Sequence, residues 1–200
     1  MTIIEKTVKI PEEITGFTQQ IDCVYKGLGR PVLYNTLSQI SGCSAIILGD
    51  VGTGKTASIK LVPQLNGVIY KNFDSFTYAE LSDFCKENLS HGEKSLTARK
   101  IFATIEELSV LSTYARDLLL QVVSKIITDH NYEHVTYWSP NLSIKNCELV
   151  TLIAAQPKTY SQLCAQFPQW DTMSRDRYTK FLVINPLRID TIEYGDESSK

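Results

Sequence analysis

The amino-acid sequence predicts an α/β fold, a three-layer sandwich in which helices cover both faces of a mainly parallel five-stranded sheet. Two observations support this prediction. Short apolar runs alternate with helical patterns along the chain, an order that is typical of parallel sheets. A glycine-rich segment also lies between an apolar run at residues 45–48 and a helical pattern at residues 55–61. Strand, glycine loop and helix in this order are typical of phosphate-binding sites.

The composition is ordinary for a soluble globular protein. Of its 200 residues, 43% are hydrophobic and 21% charged, with a net charge of −2, which argues against a strongly basic nucleic-acid-binding module. No apolar run approaches the length of a membrane span and the N-terminus lacks a signal-peptide core, so we expect a cytoplasmic protein without membrane contact. The five cysteines include no Cys-x-x-Cys pair, which indicates reduced, mostly buried thiols and no zinc site.

Residues 1–40 are predicted to form a helical approach to the core. A helix start is expected at residues 11–14 and a second helix at residues 33–40. Between them, apolar residues recur at helical spacing: Ile21, Val24, Tyr25 and Leu28. The core is expected to occupy residues 41–192, followed by a flexible polar tail at residues 193–200.

Within the core, the remaining elements follow from apolar patterning. Five strands are predicted at residues 45–48, 68–70, 100–105, 149–155 and 181–184. A helix at residues 74–88 is expected to bury Phe76, Leu81 and Phe84. A longer helix has one apolar face, formed by Ala115, Leu118, Leu119, Val122, Val123, Ile126 and Ile127. Two further runs, at residues 134–138 and 142–145, could pair as a hairpin around Ser139-Pro140-Asn141.

Residues 49–56 carry the motif G-x-x-x-x-G-K-[ST], which holds phosphates in P-loop proteins. Its glycines allow successive backbone N–H groups to point at one anion, and the following helix adds the positive end of its dipole. Lys55 supplies a charge for the β- and γ-phosphates, and the Thr56 hydroxyl is placed to ligate Mg²⁺. The motif therefore predicts a nucleoside triphosphate and Mg²⁺ as ligands. The predicted nucleotide-binding residues are Gly49, Asp50, Val51, Gly52, Thr53, Gly54, Lys55, Thr56 and Ala57.

An acidic pair, Glu106-Glu107, follows the apolar run at residues 100–105. Hydrolysis of a nucleotide needs one group that holds the metal and another that polarises water. Both groups belong at the carboxyl end of a strand beside the phosphate-loop strand, where the phosphates lie. The alternative is that the two glutamates simply open a helix, because acidic residues favour the positive end of its dipole.

The order of these parts resembles the core of AAA+ ATPases over residues 40–187. Residues 101–107 resemble that family's Walker B strand, in which four apolar residues normally precede an Asp-Glu pair. The resemblance implies the strand order 5-1-4-3-2, with Glu106 as a metal ligand beside Thr56. It also implies that Glu107 orients the attacking water. Glu106 departs from the family pattern, since glutamate is one methylene longer than aspartate.

Two further segments resemble AAA+ motifs. Residues 152–157 resemble the sensor 1 strand, which implies that Gln156 places its amide near the γ-phosphate; an exposed residue at the start of a loop is an equal alternative. Residues 174–178 resemble the arginine-finger region. This implies that Arg175, or else Arg177, reaches the nucleotide of a neighbouring subunit, whereas the alternative is two solvated arginines. A finger that acts between subunits requires an oligomer.

Residues 134–147 lie where some AAA+ groups carry a pre-sensor 1 hairpin that contacts DNA or a partner. Aromatic and basic residues suited to single-stranded DNA occur there, His134, Tyr137, Trp138 and Lys145, but a plain structural hairpin is the interpretation that these few residues favour. Little sequence follows the last predicted strand, so the helical lid of many AAA+ proteins is not expected. The resemblance then implies a homo-oligomer, as a ring or filament, or a partner that supplies the lid.

The resulting hypothesis is an ATP-binding and ATP-hydrolysing protein of AAA+ type that uses its nucleotide state to remodel a partner. A DNA-linked role in replication, plasmid or phage functions, or transcription is weakly favoured. One alternative is a P-loop kinase that phosphorylates a small molecule or nucleotide. Another is a nucleotide switch, or DNA-associated adaptor, that does not hydrolyse ATP.

Overall fold

The computed structural model describes residues 12–88, 96–97, 100–135 and 142–183. Its helices are α1 Glu12–Val24, α2 Gly29–Ser41, α3 Lys55–Lys60, α4 Tyr78–Asn88, α5 Thr113–Asp129, α6 Pro157–Gln166 and α7 Pro168–Arg177, with a 3-10 helix at Leu108–Val110. Its strands are β1 Ser44–Leu48, β2 Val68–Asn72, β3 Leu96–Thr97, β4 Lys100–Ile105, β5 Tyr132–His134, β6 Leu142–Lys145, β7 Glu148–Ala155 and β8 Tyr178–Leu182.

Five of these strands form a parallel sheet in the order β2-β4-β7-β1-β8. Counted along the chain within this sheet, the order is 2-3-4-1-5, which reads 5-1-4-3-2 from the opposite edge. The α/β fold with a mostly parallel five-stranded sheet is therefore confirmed. In the register, Leu48 pairs with Ala155 and Ile105 pairs with Ile153. The residues that follow β1, β4 and β7 consequently meet at one edge of the sheet.

Buried apolar side chains cover both faces of the sheet. One face packs mainly against α5, whose buried residues include most of the predicted apolar face. The other face packs against α3 and contains Ile59, Phe102, Val150 and Leu152. Strands buried on both faces read as continuous apolar runs, which is why β1, β4 and β7 were predictable from sequence.

The ends of α5 are fixed by its own sequence. The Ser112 hydroxyl accepts a hydrogen bond from the Ala115 N–H at 3.1 Å, which caps the first turn. The helix ends at Asp129 because His130 adopts a left-handed conformation with φ of 54°. α5 therefore begins immediately after the 3-10 helix that follows β4.

The N-terminal helices differ from the prediction. The spacing of Ile21, Val24, Tyr25 and Leu28 predicts one buried face, but Val24 is 71% exposed and Tyr25 is also exposed. α1 ends at Val24, and the chain turns through Gly27, whose φ is 79°. Leu28 is buried in this turn and not on a helix face. The turn at Gly27 interrupts the helical spacing, so the four residues do not lie on one helix.

Two predicted boundaries also shift. α4 begins at Tyr78 and not near residue 74, because the Glu80 carboxylate accepts hydrogen bonds from the N–H groups of Asp74, Ser75 and Phe76. These bonds hold the preceding segment as a loop. β8 begins at Tyr178 and not at residue 181, since an edge strand exposes polar residues that a search for apolar runs misses.

A second, smaller sheet has the order β3-β6-β5. β5 and β6 pair antiparallel with Glu133 opposite Ser143, so two strands do pair here, while residues 136–138 of the predicted first strand lie outside the described residues. The observed first strand lies at Tyr132–His134 because the Tyr132 ring is buried and its hydroxyl contacts that of Tyr78 at 3.1 Å. The predicted contact residues Tyr137 and Trp138 lie outside the described residues, as does the tail at residues 193–200.

The five cysteines, all within the described residues, form no disulfide with one another. Burial raises the pKa of Cys85 and of Cys147 to about 12, so both thiols are protonated near neutral pH. The prediction of mostly buried thiols is wrong for Cys23 and Cys43, which are exposed. They lie at the end of α1 and just before β1, where the chain turns at the surface.

A buried hydrogen bond attaches the edge strand to the sheet centre. The Tyr178 hydroxyl of β8 lies 2.6 Å from the Thr151 hydroxyl of β7, and both residues are buried. We expect Tyr178→Phe to lower the free energy of unfolding by about 1–2 kcal/mol, because the Thr151 hydroxyl loses its partner. Urea unfolding at pH 7 measures this, with Tyr114→Phe at an exposed position as the control. Equal unfolding midpoints for the two variants would contradict the prediction.

Candidate nucleotide-binding site

Residues 49–56 form a tight loop between β1 and α3. Gly52 and Gly54 have φ values of 79° and 87°, a left-handed region that favours glycine. A Cβ atom on Gly54 would also lie 2.5 Å from the Leu28 side chain. The Thr53 N–H and hydroxyl both donate to the Asp50 carbonyl, at 3.3 and 2.9 Å. The loop is therefore held in shape by its own backbone and by contact with the turn before α2.

The loop surrounds the amine of its own lysine. Lys55 is 7% exposed, and its Nζ donates to the carbonyls of Gly49 at 2.7 Å and Asp50 at 2.9 Å. A buried ammonium needs such acceptors, because burial of a charge without hydrogen bonds costs free energy. The result is a positive charge fixed inside a glycine-rich loop, which suits an anion such as a phosphate.

The start of α3 meets the end of β4 at a cavity of about 290 Å³. The Thr56 hydroxyl lies 3.5 Å from the Glu106 carbonyl oxygen, within donating distance. The polar residues that line the cavity are Thr56, Asp74, Glu106 and Glu107. The structure therefore brings together both predicted metal ligands and the predicted water-orienting glutamate.

The lining of this cavity suits Mg²⁺. Hydroxyl and carboxylate oxygens are its preferred ligands, and in nucleotide sites it keeps several waters and binds substrate phosphates. The described residues contain no group of three or more His, Cys, Asp or Glu side chains placed to hold a metal on their own. A magnesium ion here would take further ligands from water and a nucleotide, with Thr56 and Glu106 as the predicted protein ligands.

Asp74 was missed by the sequence analysis. It follows β2, which lies beside β4 in the sheet, and its carboxylate is exposed to the same cavity as Glu106 and Glu107. The available signal was an acidic residue just after a predicted strand. That signal was weak, because the order of the strands is needed before two strand ends can be placed side by side.

The Glu106 carboxylate also pairs with residues that do not line this cavity. Its Oε1 atom lies 3.0 Å from Lys60 Nζ and accepts a hydrogen bond from Asn72 Nδ2 at 3.2 Å. Asn72 is held in turn by the Thr104 hydroxyl, which donates to Asn72 Oδ1 at 3.0 Å. These partners line a second cavity of about 460 Å³, which Glu106 shares. Glu106 therefore stands between two cavities.

Glu107 caps the 3-10 helix that follows β4. Its Oε1 accepts hydrogen bonds from the Ser109 N–H at 3.3 Å and the Ser109 hydroxyl at 3.0 Å. Arg116 Nη2 donates to the Ser109 carbonyl at 3.0 Å and thereby fixes this turn to α5. Glu107 therefore does open a helix, as the alternative interpretation of the acidic pair predicts. The same contacts hold its carboxylate at the cavity wall.

Gln156 lies at the same sheet edge, directly after β7. The Gly49 N–H donates to the Ala155 carbonyl at 3.2 Å, so Gln156 is next to the start of the loop. It precedes α6, where its side chain makes no capping hydrogen bond. Its position at the loop is consistent with the predicted amide near a γ-phosphate, and its role stays a prediction.

The two candidate finger arginines differ in their surroundings. Arg177 donates to the Ser124 carbonyl at 3.0 Å and to the Thr128 hydroxyl, so its guanidinium is bound to α5 of the same chain. Arg175 is 70% exposed and pairs with Asp171 at 2.5 Å on α7. Exposed ion pairs of this type are weak, so Arg175 is the more available of the two for another molecule.

A third cavity, of about 270 Å³, adjoins the loop on its other side. Its apolar walls come from α2 and the end of β8, with Tyr34 and Phe181 in ring contact at 5.5 Å. One of its lining residues contacts the loop, because the Val183 carbonyl oxygen lies 2.9 Å from the position that a Cβ atom on Gly49 would take. Aromatic and apolar walls beside a phosphate site suit the base of a nucleotide. The sequence analysis missed this pocket because its two walls are far apart in the chain.

The comparisons with known proteins found distant likenesses only. No protein-family model and no curated protein matches this chain. A chain from the structure of Drosophila ORC bound to poly(dA/dT) DNA and Cdc6 is 9% identical, with a TM-score of 0.47 over 98% of this chain and 38% of that chain. The C-terminal region of NrS-1, in its A form apo structure, is 14% identical, with a TM-score of 0.34 over 90% of this chain and 40% of that chain.

This chain thus spans less than half the length of each of those two chains. Likenesses this distant establish neither an activity nor a partner, so the site itself has to support any functional assignment. Within the described ranges, none of the helices is both long enough and apolar enough to cross a membrane.

Proposed function

We propose that this chain is a Mg²⁺-dependent ATPase of AAA+ type that is active as an oligomer. The observation that carries the proposal is the cavity where the phosphate-loop helix meets the end of β4. Thr56, Glu106 and Glu107 line that cavity, and Lys55 lies buried in the adjoining loop. The strand order of the sheet also supports the proposal, because it matches the order that the AAA+ resemblance implies.

Each residue has a defined task in this proposal. The N–H groups of residues 50–57 and the Lys55 amine bind the β- and γ-phosphates. Thr56 and Glu106 hold Mg²⁺, which when bound neutralises charge on those phosphates. Glu107 accepts a hydrogen bond from the attacking water and orients it. The Tyr34 pocket receives the adenine base, and the sequence contains no Asn-Lys-x-Asp guanine signature.

Assembly completes the site. Arg175 of a neighbouring copy, in a ring or filament, reaches the γ-phosphate and stabilises charge in the transition state. Binding and hydrolysis of ATP then change the contacts between copies and remodel a partner. The partner is DNA, contacted through residues 134–147, where His134 and Lys145 are basic residues on the hairpin strands.

A second candidate is a P-loop kinase. The cavity of about 460 Å³ beside Glu106 is lined by Lys60, Tyr70, Asn72 and Thr104 among others, and it is large enough for a small phosphate acceptor. Chromatography of the products separates the two functions. An ATPase yields ADP and inorganic phosphate in equal amounts, whereas a kinase leaves the phosphoryl group on an acceptor.

The proposed function is tested by the rate of ATP hydrolysis as a function of protein concentration. We expect the rate per chain to rise with concentration and to fall about a hundredfold or more in Arg175→Ala, because an arginine finger contributes at least this much. Asp171→Ala is the matched control, since it removes the ion pair of Arg175 but keeps the guanidinium.

A rate that does not depend on concentration or on Arg175 would contradict the oligomeric ATPase. Measurable ATP binding with no hydrolysis at any concentration, with or without single- and double-stranded DNA, would identify a nucleotide switch. Stimulation of the rate by DNA would support DNA as the partner.

A further inference from the structure

The Glu106 carboxylate pairs with the Lys60 ammonium and is also the predicted ligand of a metal ion. Lys60 Nζ lies 3.0 Å from Glu106 Oε1, and both residues line the larger cavity. Thr56, the other predicted metal ligand, lines the smaller cavity on the opposite side of Glu106. A carboxylate that ligates a metal beside Thr56 therefore has to share or give up its pair with Lys60.

The pair is exposed on its lysine side and partly buried on its glutamate side. The Lys60 side chain is 62% exposed and the Glu106 side chain 31% exposed, and Asn72 Nδ2 donates to the same Oε1 atom from β2 at 3.2 Å. Salt therefore screens the pair in part, and its effect is that of an exposed ion pair. Lys60 ends α3, the helix that begins with Lys55 and Thr56. Its backbone therefore lies about one and a half helical turns beyond the start of this helix.

We infer that Lys60 competes with the divalent cation for Glu106 and lowers the cation affinity of the nucleotide site. The inference rests on the proposed function, because it requires a metal–nucleotide complex at residues 49–56. Lys60 is a positioning residue that acts through Glu106: it holds the carboxylate towards the larger cavity, and its charge repels a second cation at short range. Neutralising Lys60 frees Glu106 for the metal.

The test measures metal binding directly. Mn²⁺ is added to protein with a slowly hydrolysed ATP analogue, and free Mn²⁺ is followed by electron paramagnetic resonance. We expect Lys60→Gln to lower the Mn²⁺ concentration at half-saturation about fivefold, which corresponds to the strongest exposed ion pairs. Lys60→Arg keeps the positive charge and should bind Mn²⁺ as the original protein does.

Lys86→Gln is the matched control. Lys86 also pairs with a carboxylate, Asp83 at 3.2 Å, so this variant loses the same charge and a similar ion pair on α4. Its half-saturation should stay within about twofold of the original value, because an exposed charge outside the site is screened by salt. Thermal melting of all variants shows whether the changes alter the fold.

The outcomes distinguish a failure of the competition by Lys60 from a failure of the proposed function. Unchanged or weaker Mn²⁺ binding in Lys60→Gln, with normal nucleotide-dependent binding in the original protein, overturns the competition by Lys60 and leaves the proposed function standing. A fivefold effect that appears equally in Lys60→Arg overturns it as well, since the charge is then irrelevant. Absence of ATP-dependent Mn²⁺ binding in the original protein overturns both.

Discussion

Lys55→Ala is expected to weaken ATP binding about a hundredfold and to abolish measurable hydrolysis. The Lys55 ammonium is buried in the loop and bonded to two carbonyls, so it is already placed where phosphates would bind. Charge-assisted bonds between a buried ammonium and phosphate oxygens contribute about 3 kcal/mol when lost, which corresponds to the hundredfold change. Calorimetric titration with an ATP analogue measures the affinity, and phosphate release measures the rate.

The loop could also lose its shape when the amine is removed. Lys55→Met tests this, because its long apolar side chain keeps much of the packing without the charge. Lys125→Ala, at an exposed position on α5, is the control for the loss of a lysine in general. Nearly unchanged hydrolysis in Lys55→Ala would exclude residues 49–56 as the phosphate site. Equal defects in Lys55→Ala and Lys55→Met, with normal melting, would assign the effect to the charge.

The sequence predicted those features that depend on neighbouring residues. The phosphate loop at residues 49–56 is one, because its glycines and Lys55 act within one turn. Strand β4 is another: the apolar run at residues 100–105 coincides with the observed Lys100–Ile105, since a strand buried in a parallel sheet must be apolar throughout. The acidic pair after it was placed correctly at the sheet edge for the same reason.

Features that depend on the pairing of distant segments were not predictable in the same way. The contacts of Glu106 with Lys60 and Asn72 exist because β2 lies beside β4 and the last residue of α3 lies near the end of β4. The apolar pocket of Tyr34 and Phe181 likewise needs α2 and β8 to be neighbours. No local pattern encodes such neighbours, so these residues could be recognised only after the sheet order was known.

The two candidate finger arginines show which part of the functional prediction required the structure. Both Arg175 and Arg177 precede the last strand, and the sequence analysis favoured Arg175 as the finger, with Arg177 as the alternative. The structure does separate their surroundings, because Arg177 reaches across to the α5 carbonyl of Ser124 while Arg175 remains exposed. Whether Arg175 acts on another subunit depends on assembly, which a single chain does not contain, so its role stays a prediction.

Glu107→Gln is expected to lower the rate of ATP hydrolysis by about a hundredfold to a thousandfold while ATP binding is retained. A carboxylate that orients and polarises water contributes this much in general-base catalysis. Glutamine keeps an oxygen that can accept the Ser109 hydrogen bonds, so the cap of the 3-10 helix survives the change. The loss of rate then reflects the missing charge and basicity and not a local rearrangement.

Two companion variants make this expectation specific. Ser109→Ala keeps the Glu107 carboxylate but removes the hydroxyl that holds it at 3.0 Å, so we expect an intermediate loss of about fivefold to tenfold, as for a modest error in positioning. Glu133→Gln, at an exposed position on β5, should leave the rate unchanged.

If Glu107→Gln hydrolyses ATP at the original rate, Glu107 is only a helix cap. Another group must then orient the water, and Asp74, which lines the same cavity, is the first candidate. The combination of retained binding and lost turnover is what separates a catalytic carboxylate from a structural one, because a defect in folding would lower both.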